Sequence, residues 1–213
     1  MRLIPLDLIG GSSTSESSSF QGARGVHSFG WVAVALSLVL GIGVTRLLSS
    51  GVAVFKARGR VRLDWVPLTW GSCIFVWQLQ YWWAIGELQG LIATWTIIHF
   101  LILLTLALLL FLAAALVLPS AELVTNVGVA EAFERDGRWA LSCLSAYFWF
   151  SLFANWHLWK ASPISAGGAI NVALAATPLA FLRSDSRRVR AMITMAYVPL
   201  SIWAAWRASP WSY

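Results

Sequence analysis

Residues 91–118 constrain this chain more than any other feature: 28 consecutive positions are apolar apart from His99, Thr94, Thr96 and Thr105. A backbone amide in lipid has no outside partner, so such a run is expected to coil into a membrane-crossing helix. About 20 residues at ~1.5 Å each cross the ~30 Å of hydrocarbon. At 28 residues the run reaches about 42 Å, which implies tilt or projection into the interface.

Five more stretches meet the same test: 30–48, 65–86, 139–159, 164–182 and 189–206. The last two are Ala-rich and hold Pro178 and Pro199, which a transmembrane helix accommodates as kinks. Composition agrees, at 59% apolar and 11% charged, where soluble domains run at roughly half and a quarter. The expected fold is all-α, an integral membrane bundle of six transmembrane helices. It forms one domain over residues 29–207, between a disordered tail at 1–28 with a serine-rich run and a short tail at 208–213. The first apolar segment lacks the small-residue exit of a cleavable signal peptide.

A net charge of +6 would suit nucleic acid. Here the cations sit in short connections between apolar stretches, so the expected partner is the lipid bilayer and not nucleic acid. Arg46, Lys56, Arg58, Arg60, Arg62, Arg135, Arg138, Arg183, Arg187, Arg188 and Arg190 fall in odd-numbered connections; Arg2, Arg24, Lys160 and Arg207 fall on the other side. Eleven against four places the odd connections in the cytoplasm and both termini outside. Trp31, Trp82, Trp83, Trp95, Trp156, Trp159, Trp203 and Trp206 then mark the outer interface, and Trp65, Trp70 and Trp139 the inner one. Compact connections suggest a bacterial inner membrane.

The connection 119–138 is amphipathic. Leu123, Val127, Ala130 and Phe133 recur at helical spacing, while Glu122, Glu131, Glu134 and Arg135 are polar. With Ser120 as cap and Gly137 as terminator, it reads as a short helix along the inner leaflet, a loop being the alternative. Ser37, Gly41, Thr45 and Ser49, and Ala169, Ala173 and Thr177, form small-residue stripes of the kind that let helices approach closely. Cys73 and Cys143 have no CxxC or zinc-like spacing and read as small buried hydrophobes.

Polar groups inside the bilayer are the best functional pointers. Gln80, His99, Asn155, Asn171 and Ser201 come from five helices and project to roughly 6–12 Å below the outer edge. Gln78 is close in depth, and Glu87 and His157 lie nearer the surface. On the second helix Gln80, Trp83 and Glu87 share a face; on the sixth, Thr194, Tyr197 and Ser201 do. Convergence of these faces would make a tryptophan-rimmed pocket, with Gln80, Glu87, His99, Asn155, His157, Asn171 and Ser201 as ligand-binding candidates. The commoner role of such groups is interhelical hydrogen bonding, at about 0.5–2 kcal/mol each.

His99 and His157 could together ligate a b-type haem or a metal ion, although Trp95, Thr96 and Trp156 crowd the space. No Ser-His-Asp, Ser-Lys or paired-Asp arrangement fits an intramembrane protease. Gly41-Ile42-Gly43 follows no strand and is no nucleotide loop. Asp185-Ser186 beside Arg187 and Arg188 has the chemistry to meet a phosphate, but orientation already accounts for those cations. Three readings remain: a non-enzymatic unit that binds or transports a small molecule through the outer cluster, an accessory subunit or homo-oligomer docking through membrane helices, and a haem- or metal-binding redox protein.

Overall fold

The computed structural model describes residues 13–59, 64–88, 95–119, 129–158 and 160–208, with side chains from residue 30 onward. Among these residues the chain is all-α. The helices are α1 (Ser13–Lys56), α2 (Trp65–Glu87), α3 (Ile97–Val117), α4 (Val129–Leu158), α5 (Ala166–Arg183) and α6 (Arg187–Ala208), with a 3-10 turn at Ala57–Gly59 after α1. Among the described residues, three segments are long and apolar enough to cross a membrane by length and composition: Gly30–Gly59, Ile97–Val117 and Ala166–Arg183. α1 begins at Ser13, within the stretch that its serine-rich composition suggested would be a tail.

Local chemistry sets the helix ends. Asp64 caps α2, its carboxylate accepting from Val66 N–H at 3.0 Å. Ser165 caps α5 by accepting from Gly168 N–H at 3.2 Å. At α3, Thr96 is extended (φ −113°, ψ 159°) and accepts from His99 N–H, while His99 Nδ1 accepts from Thr96 N–H. This reciprocal cap answers two of the donors that a helix start leaves open. It also shortens the expected helix of 28 residues to 21, about 32 Å, which matches the hydrocarbon thickness without tilt. Residues 91–94 lie outside the described ones.

Gly137 does not end a helix, contrary to the sequence expectation. α4 runs through it unbroken for 30 residues. A Cβ at Gly137 would collide with the Phe133 ring one turn earlier, so this glycine makes room for packing. The expected inner-leaflet helix and the fourth apolar stretch thus merge from Val129 onward; Ser120, Glu122, Leu123 and Val127 lie outside the described residues.

α2 occupies the middle. It touches α1, α3, α4 and α6, while α3 and α4 pack most extensively and α5 rests only on α4 and α6 among the larger contacts. Leu36, Leu40, Gly43, Leu47, Ser50 and Val54 are the buried positions of α1, a 4-3-4-3-4 spacing that keeps one face on its neighbours. Gly43 is the point of close approach, because a Cβ there would run into the Gln78 amide and meet Phe111 at 3.5 Å. The small-residue stripe expected to mediate packing instead faces outward: Gly41, Thr45 and Ser49 are exposed, and nothing lies within 4 Å of a Cβ at Gly41. Around it Val34, Leu38, Leu48, Val52 and Phe55 are also exposed, more contiguous apolar surface than a water-facing helix carries.

Candidate functional site

Polar groups line the contact between α2 and α6 from one end of the bundle to the other. On α6, Arg190, Thr194, Tyr197 and Ser201 follow one another at spacings of four, three and four, so they share a face. That face meets Trp70, Cys73 and Trp77 on α2. Trp70 is fully buried and donates from Nε1 to Thr194 Oγ1 at 3.1 Å. Thr194 in turn donates to the Arg190 carbonyl at 2.9 Å. The Trp70 ring packs on Tyr197 (4.5 Å between centroids) and edge-on to Phe181 (5.6 Å).

Above this pair the partners run out. The Tyr197 hydroxyl lies beside Trp77, Ser201 and Cys73. Trp77 Nε1, Tyr197 OH and Ser201 Oγ are buried and face one another, but none of them closes a well-formed hydrogen bond among the described residues. Burying such a group unpaired costs about 1–3 kcal/mol.

A cleft opens at each end of this seam. One, called the outer cleft after the orientation expected from sequence, has about 230 Å³ and lies among the end of α4, the start of α5 and the end of α6, with Asn155, Asn171 and Arg207 in its wall and Trp77 also lining it. Its rim is the turn between α4 and α5. There Lys160 takes the left-handed conformation (φ 53°) and Ala161 N–H reaches back to the Asn155 carbonyl at 3.1 Å. Gly168 lets this turn sit against α5, since any Cβ would collide with the Pro163 carbonyl.

The other, at the end that the sequence orientation puts inside, has about 520 Å³ and is lined by Asp64, Glu134, Arg138, Asp185, Arg187 and Arg190 together with Phe133 and Phe181. Arg187 reaches Asp64 at 3.6 Å but is 91% exposed, so the pair adds little to stability. Arg190 is better held, its Nε donating to the Ser184 carbonyl at 2.7 Å.

The residues singled out from sequence fall into four places. Asn155 and Asn171 line the outer cleft. Ser201 belongs to the seam below it. His99 and His157 come together across α3 and α4, with ring centroids 5.8 Å apart. His99 Nδ1 is occupied in the α3 cap and the His157 ring stacks on Phe153 at 5.8 Å. Among the described residues no group of three or more His, Cys, Asp or Glu side chains is arranged to hold a metal. Gln80 is half-buried and Glu87 exposed toward the end of α2, and neither lines either cleft. Gln78 is 1% exposed and turns away from the seam toward Gly43, with both amide atoms unpartnered among the described residues.

Sequence reasoning missed Trp77 and Arg207. The first was one tryptophan among 14, and the second was spent on orientation. The available signal was the register of Trp70, Cys73 and Trp77 opposite the Thr194, Tyr197 and Ser201 face. No protein-family model, curated protein or solved structure matches this chain.

Proposed function

We propose that the chain is a six-span membrane protein that admits a small polar solute between α2 and α6, entering from the outer cleft. The observation that carries this reading is the buried set Trp77 Nε1, Tyr197 OH and Ser201 Oγ, which face one another without closing a well-formed hydrogen bond, Trp77 also lining that cleft. Polar groups held in a membrane without partners are retained where water or solute meets them. The donors and acceptors are neutral at this depth, which suits a solute that exchanges hydrogen bonds rather than one that needs a buried counter-charge. The seam runs from Arg190 to Arg207, about 26 Å along α6, close to the hydrocarbon thickness.

The six-span reading rests on more than hydropathy. α4 and α6 lose mean hydropathy to charged residues near their ends and α2 to Trp, Tyr and Gln, yet in α2 Trp70, Trp77, Gln78 and Tyr81 are buried against other helices. The asymmetry of eleven against four Lys and Arg supports both termini lying outside. A second reading is favoured by the outward stripe of Gly41, Thr45 and Ser49, which offers α1 to a second copy or another membrane protein.

The test uses Cys73, 7% exposed in the seam, in a Cys143→Ala background. A charged, membrane-impermeant thiosulfonate is expected to label Cys73. It should spare a cysteine placed at Val76, which lies within one turn of Cys73 on the outward face of α2. Labelling at neither position would make the seam dry and its polar groups structural. Equal labelling at both would remove the lipid from around α2.

A further inference from the structure

α6 changes character at Pro199, and we propose that its outer segment, residues 200–208, pivots there as a gate over the seam. This deepens the solute reading above by naming its moving part, and it rests on that reading. Two helices hold a proline in their interior, Pro178 in α5 and Pro199 in α6. A proline has no N–H to give the carbonyl four residues back, so each interrupts its own helix ladder. The two interruptions differ. Beside Pro178, the buried Ser145 donates across from α4 to the Ala175 carbonyl at 2.7 Å, and Thr177 donates to the Ala173 carbonyl at 2.7 Å. Hydroxyls placed in this way tie an interrupted helix to itself and to its neighbour. Beside Pro199, no side chain among the described residues donates to the Met195 or Ala196 carbonyl. Pro178 is buried, whereas Met195 and Pro199 are exposed. The gap in α6 therefore lies on the side away from α2, and flexing it swings the opposite side toward or away from Trp77.

The seam changes at the same level. On the inner side of the proline, Trp70 closes its bond to Thr194 at 3.1 Å and its ring packs on Tyr197. Across the proline, Trp77 Nε1, Tyr197 OH and Ser201 Oγ face one another without closing. Ser201 stands two residues beyond Pro199 and Tyr197 two residues before it, so a pivot at the proline alters this set directly. The segment is also lightly held, since Ser201 and Ala204 are its only buried residues. Sparse burial marks the parts of a fold that move at low cost. The outer cleft, lined by Ala204 and Ala208 with the ends of α4 and α5 opposite, gives the segment room to swing. Tilted one way, the segment closes the three groups on each other and shuts the seam. Tilted the other way, it leaves them to a solute.

The experiment uses full-length protein in lipid bilayers. One arm measures distances by pulsed electron paramagnetic resonance in a Cys73→Ala, Cys143→Ala background. Spin labels on Trp156→Cys and Ile202→Cys report the outer ends of α4 and α6, and labels on Trp139→Cys and Met192→Cys report the inner ends; all four positions are exposed. The outer pair should give a broad or two-peaked distribution and the inner pair a narrow one. Pro199→Ala restores the missing bond at an exposed position and favours the helix, so it is expected to fold and to narrow the outer distribution to the width of the inner one. The other arm keeps Cys73, with Cys143→Ala, and times its labelling by the impermeant thiosulfonate. Pro199→Ala should slow that labelling about tenfold, near the upper effect of one backbone hydrogen bond. A wild-type outer pair as narrow as the inner one, or an unchanged labelling rate in Pro199→Ala, overturns the gate. A narrow outer pair beside a labelled Cys73 sinks the gate and spares the solute reading, whereas a wild-type Cys73 that resists labelling sinks both.

Discussion

Three side chains at the α2–α6 contact and one at the α1–α2 contact carry most of the unpaired polarity in this bundle, and they are not equivalent. Trp77, Tyr197 and Ser201 face one another in the seam, with Trp77 also lining a cleft. Gln78 stands alone against Gly43 and Phe111, on the other side of α2. Replacing a buried, unpaired amide by an apolar group of similar shape removes a penalty of about 1–3 kcal/mol. Gln78→Met is therefore expected to raise stability in detergent unfolding by about that amount, and a loss instead would mean that the amide is paired. Gln78, Tyr197 and Ser201 were legible as polar groups in the sequence, and Trp77 was not singled out. What each one faces was not legible, because depth along a helix follows from counting while azimuth depends on the neighbour. His99 illustrates the same limit. Its position suggested a ligand, yet its Nδ1 helps to start α3 at Ile97.

At the scale of helices, the all-α class and the approximate position of every apolar stretch were readable from runs of hydrophobic residues. Boundaries were less so. The cap at Thr96 cuts six residues from the front of an apolar run, and Gly137, a residue that often ends helices, lies inside one because Phe133 folds over it. The small-residue stripe on α1 misled for a related reason, since a stripe shows that close approach is allowed and not that a neighbour is there. Gly43 and Gly41 separate the two situations within one helix. Gly43→Leu would drive a side chain into Gln78 and Phe111 and is expected to cost about 1–3 kcal/mol by overpacking. Gly41→Leu meets nothing within 4 Å and should stay within about 0.5 kcal/mol. Equal effects in a thermal-unfolding comparison would show that α1 presents a different face to the bundle.

For the whole molecule, a polar seam with a cleft at either end, sheathed by apolar helix faces, is the arrangement expected of a protein that passes or holds a polar solute in lipid. Its chemistry is divided by depth: Arg190 and the inner charges at one end, neutral hydroxyl and indole groups between, and Arg207 beside a helix start at the other. The most direct measurement is a single-cysteine scan of α6, from position 190 to 208, with a water-soluble thiol reagent acting on protein in its membrane. Reactivity should peak at Thr194, Tyr197 and Ser201, which are buried, and should be absent at Met195 and Ile202, which are exposed to the surroundings of the bundle. Reactivity at Met195 and Ile202, or none at any of the five positions, would contradict a hydrated seam within a lipid-facing bundle.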